Sequence, residues 1–268
     1  SVLRAALEEN KEAASWYSGP AVVETFGEAG FVPETKAEVL SLSSHQEEVV
    51  RSLNNEASRL MNQYIPEEET SFTIIAFPRP EIGEDFEAIF MEIIAINTLD
   101  YMMYQDIQQV IIDALDKAEM VEIKGKGTNC TDLKVALQPL SNPEKETKFE
   151  NCVADVNIPL GEVFTSPKLA GTNGTLHVES VYIGEFQFKN LKMEFADGMV
   201  KGFTCENLAD EGENQKLVKQ VIMKNHDTLP LGEFAIGTNT TAYAMGRKYG
   251  IVDRMPILIV EKMGPHFA

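Results

Sequence analysis

Leu176-His-Val-Glu-Ser-Val-Tyr182, Leu191-Lys-Met-Glu-Phe195 and Met199-Val-Lys-Gly-Phe-Thr204 decide the fold class of the second half of this chain. In the first two, apolar and polar residues alternate with the period of a half-buried strand. Asp197-Gly198 stands between the second and third, and this dipeptide favours a tight hairpin turn, so antiparallel sheet is expected. Toward the C-terminus, Leu217, Val218, Val221 and Ile222 supply one helix, and Ile257-Leu-Ile-Val260 reads as a closing core strand. Toward the N-terminus, Met120-Val-Glu-Ile-Lys124 and the alternating Leu133, Val135 and Leu137 form two more strands, joined by a tight turn at Gly125-Lys-Gly-Thr-Asn129.

The first half has α/β character. Ser44 with Glu47 forms a capping box, and Val49, Val50, Leu53, Ala57, Leu60, Met61 and Tyr64 recur at helical spacing. Phe72-Thr-Ile-Ile-Ala-Phe77 is a short, partly β-branched run stopped by Pro78-Arg-Pro80, as in a buried strand. Phe86, Ile89, Phe90, Ile93 and Ile94 share one helical face; Ile107, Val110, Ile111, Ala114 and Leu115 share another after a break near Asp100. Residues Ser1 to Pro33 show no clean period. Pro139 to Lys148 is polar and Pro-containing, and the pattern changes beyond it. The expected organisation is an α/β domain over 1–145, followed by a strand-rich α+β domain over 146–268.

A chain of 268 residues is long enough to bury a full core. Its 42 Asp and Glu against 23 Lys and Arg give a net charge of −19, which repels a phosphate backbone or an anionic membrane surface. Nucleic acid and membrane are therefore not expected partners. No apolar run reaches the roughly 18 residues of a membrane span, and no basic stretch leads into an apolar signal core. The cysteines, Cys130, Cys152 and Cys205, are odd in number and lack Cys-x-x-Cys spacing, which fits a reducing cytoplasm better than a disulfide framework or a thiolate zinc site. Asn129, Asn173 and Asn239 each begin a glycosylation acceptor pattern, read here only as polar loops.

Three segments carry a resemblance. Asn157-Ile-Pro-Leu-Gly-Glu-Val-Phe-Thr-Ser-Pro167, Leu231-Gly-Glu-Phe-Ala-Ile-Gly237 followed by Asn239, and the terminal His266-Phe-Ala268 appear in the order found in the thermophilic metalloaminopeptidases of the aminopeptidase T and S type. The chain resembles that family over residues 105 to 268, including the turn Gly125-x-Gly-Thr128. The resemblance implies a broad-specificity exopeptidase acting on peptides as a homodimer, with Glu162, Glu233 and His266 among the ligands of two divalent metal ions. It also implies that the family's remaining ligands, a tyrosine and a His-x-Asp pair, lie beyond Ala268, so the chain reads as cut off before them. The chemistry explains the residue types: two cations about 3.5–4 Å apart need carboxylates and imidazoles to hold them, and they activate water near neutral pH while polarising the scissile carbonyl. Hard oxygen and borderline nitrogen donors suit zinc, cobalt, manganese or magnesium without choosing among them.

Blander readings stand beside these. An isolated glutamate is usually solvated, but Ile158, Val163 and Phe164 place Glu162 in a partly buried segment where a carboxylate needs a partner. Glu233 follows Leu229, Pro230 and Leu231, and helix N-capping is its alternative role. A lone histidine near a chain end, such as His266, is ordinarily a frayed surface residue. His45, His177 and His226 receive no role. Gly125-Lys-Gly-Thr128 lacks phosphate-loop spacing. The acidic runs Glu67-Glu-Glu69 and Asp210-Glu-Gly-Glu213 lack the spacing of a calcium loop and read as solvated turns. Neither Gly-x-Ser-x-Gly nor His-Glu-x-x-His occurs. The competing function is a non-catalytic relative that keeps fold and dimer without a complete two-metal site.

Overall fold

A computed structural model describes residues 2–28, 42–153, 157–183 and 186–268, apart from the side chains of residues 44 and 47. The chain forms two compact units, one comprising Ser1–Val23 and Glu34–Ile74, the other Glu24–Pro33 and Ile75–Ala268. Helices and sheets mix in an α+β architecture.

In the first unit the unread N-terminus forms helices Val2–Glu9 and Lys11–Ser15. The expected amphipathic helix runs from Ser44 to Asn62, and its box is closed one residue early, by Ser43 and Gln46. Ser43 is the last extended residue, so its hydroxyl faces the free N–H groups of the first turn; the side chains of Ser44 and Glu47 lie outside the described residues. Of the apolar stripe, Leu60 is buried, whereas Val49, Val50, Leu53 and Met61 are exposed.

The second unit is organised by two antiparallel sheets. The larger has the order 199–204, 186–196, 168–183, 132–136 and 120–124. The strands expected from alternation are all present, and Leu176 pairs with Met193 and Val181 with Phe188. Asp197 and Gly198 both take positive φ, 45° and 68°, as the hairpin turn requires. This sheet joins strands from both sides of residue 145, and Leu133, Val135, Phe188 and Leu191 share one core with Val218 of helix Glu211–Val221. Asp210 is exposed, and its carboxylate accepts from the Glu213 N–H at 2.9 Å and caps that helix.

Two expectations need correction. Ile257-Leu-Ile-Val260 is a single helical turn, entered from an extended Pro256, and Leu258 and Ile259 are buried. A four-residue apolar run is too short to show a period that separates strand from helix. The closing strand is Pro265–Phe267 instead. Helices Phe86–Asn97 and Tyr101–Leu115 form as expected, with Asp100 capping the second, but the second turns a different face inward: Tyr104, Gln108 and Ile112 are buried, while Ile107 and Val110 are exposed. Gln108 explains this. Its amide donates to Asn151 Oδ1 (2.6 Å) and the Cys152 carbonyl (3.0 Å) and accepts from Thr238 Oγ1 (2.8 Å), so a polar residue is fully satisfied inside.

The smaller sheet has the order 265–267, 234–237, 162–165 and 150–152. One face is apolar: the Phe234 ring packs between Phe149 and Phe267, with centroids 5.9 and 5.5 Å away. The opposite face carries the site.

Candidate metal centre

Register alone places the three residues together. Glu162 pairs with Gly237, and His266 pairs with Ala235. Side chains alternate between the faces of a strand, so 233, 235 and 237 point one way, and their cross-strand partners 162 and 266 point with them. Phe234 and Ile236 point to the core. Glu233 is fixed at the strand's start by its N–H and carbonyl, which bond the Ala268 carbonyl (2.8 Å) and N–H (3.3 Å). Gly161, with φ 119°, precedes Glu162 and turns the chain into its strand.

The side chains meet. His266 Nε2 lies 3.0 Å from Glu162 Oε2 and 3.6 Å from Glu233 Oε1. His266 is therefore not frayed; it sits in a paired strand with its side chain 17% exposed. Its Nδ1 lies 3.2 Å from the Gly264 carbonyl, an acceptor, so Nδ1 carries the proton and donates. Nε2 is left to face Glu162.

Two residues that no motif singled out complete the group. Lys262, 1% exposed, places its ammonium 2.5 Å from Glu162 Oε1 and 3.0 Å from Glu261 Oε1. Both come from the single turn Glu261–Met263, which crosses the sheet face above Gly237. A Cβ on Gly237 would lie 2.3 Å from the Lys262 carbonyl carbon, so only glycine leaves room for that turn. The one available sequence signal was a lysine ending an otherwise apolar stretch.

Asn239 locks the pieces. It is fully buried, not a loop residue: Nδ2 donates to the Leu160 carbonyl (3.0 Å), and Oδ1 accepts from the Ala242 N–H (2.9 Å), capping helix Thr240–Tyr249. Its backbone N–H also donates to the Lys262 carbonyl (2.7 Å). One side chain thus ties the approach to Glu162 to the helix that follows Gly237. Asn239→Ala removes the cap and orphans the Leu160 carbonyl, and should lower stability by about 2–4 kcal/mol. Urea unfolding checks this; a change below about 0.5 kcal/mol contradicts it.

The electrostatics are lopsided. Among the described residues, three carboxylates, from Glu162, Glu233 and Glu261, face one permanent cation, Lys262. Burial pushes the Glu162 carboxyl up, but His266 and the Lys262 ammonium outweigh it and hold the group at about 2, so it is ionised at any ordinary pH. Burial, opposed by His266 but reinforced by Glu162 and Glu261, raises the Glu233 carboxyl. Burial also works against the His266 imidazolium, yet contact with Glu162 and the Gly264 carbonyl raises it.

These donors fit a divalent cation. Glu162 Oε2 is buried and accepts no hydrogen bond from an N–H or O–H group, and His266 Nε2 stands 3.0 Å from it. A buried, orphaned carboxylate oxygen facing a ring nitrogen needs positive charge beside it. Two ligands bonded to one ion at roughly 2.0–2.2 Å stand about 3.0–3.4 Å from each other, close to the separations found. The set is open. Among the described residues, no three His, Cys, Asp or Glu side chains close around a single point by themselves. Glu162 and His266 stand closest together, and Glu233 lies at the edge of the pair.

The functional alternatives elsewhere do not compete. The Gly125 turn is filled by its own chain, with the Asn129 carbonyl oxygen 2.2 Å from where a Gly125 Cβ would stand. His177 is a satisfied buried histidine, accepting from the Cys130 N–H at Nδ1 (2.8 Å) and facing Asn190 Oδ1 at Nε2 (3.2 Å). No helix among the described residues is long and apolar enough to cross a membrane.

Comparison with known proteins bears on the same segments. The sequence matches the family described as thermophilic metalloprotease (M29) over residues 39–247, which spans Glu162 and Glu233. No curated protein matches it.

Proposed function

The chain belongs to the thermophilic metalloprotease (M29) family, and from that premise we propose that it is a metal-dependent aminopeptidase releasing the N-terminal residue of peptides. The observation that carries this reading is the buried, undonated Glu162 Oε2 beside His266 Nε2, with Glu233 next to them. In this reading Glu162, Glu233 and His266 are ligands in a centre for two divalent ions, zinc, cobalt, manganese or magnesium, and Glu261 stands close enough to contribute. When bound, such ions acidify water and polarise the scissile carbonyl. The chain's own groups then have plain tasks. Glu162 remains an anion, and His266 is held in one tautomer by Gly264.

The surplus of carboxylate over Lys262 also favours a substrate that brings positive charge, as the free α-amine of a peptide does. The reading includes a homodimer, for which the uncovered side chains of Met102, Met103, Ile107 and Val110 on helix Tyr101–Leu115 offer a face. A reducing cytoplasm is consistent with cysteines that form no disulfide.

The test uses short peptides differing only at the N-terminus. Chelator-treated protein is expected to regain release of the first residue when zinc, cobalt, manganese or magnesium is restored, and to leave the N-acetylated peptide intact. Equal cleavage of both peptides would make it an endopeptidase. Activity indifferent to chelation would remove the metal.

A further inference from the structure

Among the described residues around the centre, Lys262 alone is a fully buried permanent cation, and nothing in the family match or the motifs assigns it a task. A lysine 1% exposed is held there for a reason, since an ammonium leaves water only at considerable cost. Its Nζ meets the two carboxylates asymmetrically with respect to their oxygens: Glu162 Oε1 at 2.5 Å and Glu261 Oε1 at 3.0 Å. Glu162 Oε2 is left without a hydrogen bond, on the His266 side. Asn157 Nδ2, at 3.5 Å, steadies the same Glu261 oxygen.

We infer that Lys262 is a positioning residue that decides how Glu162 binds an ion. By occupying Oε1 it would leave Oε2 as the oxygen of Glu162 free to hold an ion, and it keeps the Glu261 carboxylate beside the centre. A carboxylate with both oxygens free chelates or rotates; one pinned at Oε1 presents a single oxygen in a fixed direction. Lys262 also offsets part of the negative charge, so the three glutamates coexist in a small space before any ion arrives. The supporting shell is built into the backbone: the Lys262 carbonyl is bound by the Asn239 N–H, and Gly237 clears its path.

This inference rests on the metal reading above, and the experiment separates the two. Lys262→Met keeps the length and apolar stem of the side chain and removes the ammonium. Chelator-treated wild type and variant are titrated with zinc by calorimetry, and then loaded with cobalt for visible spectroscopy. The variant is expected to bind zinc ten- to a hundred-fold more weakly, the usual effect of losing a group that orients a ligand. Its cobalt bands are expected to weaken, because a freed Glu162 uses both oxygens and raises the coordination number. A folded variant with unchanged zinc affinity and unchanged cobalt bands overturns the role of Lys262 while leaving the metal centre standing. Wild type that takes up no zinc overturns both. Should the variant not fold, crystals of zinc-loaded wild type decide: Lys262 Nζ on Oε1 with the ion on Oε2 alone supports the inference, and a bidentate Glu162 or a displaced lysine overturns it.

Discussion

Glu162→Gln is expected to remove the zinc-dependent stabilisation of the protein and to cut peptide hydrolysis by at least about a hundred-fold. The substitution preserves shape, so packing around residue 162, 7% exposed in the wild type, is kept. What changes is charge. Gln replaces the orphaned Oε2 with an amide group, removes the anion facing His266, and leaves the Lys262 ammonium with Glu261 as its remaining carboxylate. Breaking a buried ion pair at one partner typically costs about 3–5 kcal/mol; the retained Glu261 contact places this case at the lower end. Two readouts then move together. The unfolding temperature of the metal-free variant falls, and the upward shift that zinc gives wild type, about 2.7 kcal/mol at a hundred times Kd, disappears. Full retention of both the zinc shift and the hydrolytic rate would take Glu162 out of the centre.

Gly237→Ala should be nearly as damaging although the added methyl meets backbone rather than a candidate ligand's side chain. The new methyl would stand 2.3 Å from the Lys262 carbonyl carbon, 2.4 Å from the Glu261 carbonyl oxygen and 2.6 Å from that of Lys262. All three are backbone atoms, so relief requires the Glu261–Met263 turn to lift away. Lifting it breaks the bonds from Asn239 N–H to Lys262 O (2.7 Å) and from Gly237 N–H to Gly264 O (2.8 Å), and withdraws the lysine from Glu162. Overpacking and two lost hydrogen bonds together cost about 3 kcal/mol or more. Zinc affinity should fall further than in Lys262→Met, because Glu261 and the approach to His266 move as well. Gly264→Ala is the control. Its φ of 175° is ordinary extended backbone and nothing lies within 4 Å of the added carbon, so it should be close to neutral in both thermal unfolding and zinc titration. If Gly237→Ala matched that control, the crowding above the sheet would not matter to the site.

The site was partly legible. Glu162, Glu233 and His266 were chosen from short motifs, and the sheet register brings all three to one face. Glu261, Lys262 and the buried role of Asn239 were not legible. A lysine beside a glutamate at the end of an apolar run reads as solvated, and a buried ammonium is recognised only from carboxylates 100 and 1 residues away meeting it in space. Gln108 was missed for the same reason: its partners, Asn151, Cys152 and Thr238, belong to other segments.

The residue pattern by itself located strand over 120–124, 133–137, 176–182, 191–195 and 199–204, the Asp197-Gly198 turn and the helices starting at Ser44, Phe86, Tyr101 and Glu211, because alternation, helical periodicity and turn chemistry act between near neighbours. Only the tertiary structure decided that Ile257–Val260 coils, that helix Tyr101–Leu115 turns Gln108 inward, and that Lys262 is sealed between two glutamates. Those outcomes depend on which distant groups are present to accept a hydrogen bond or neutralise a charge, and cross-strand register supplies that information where local sequence cannot.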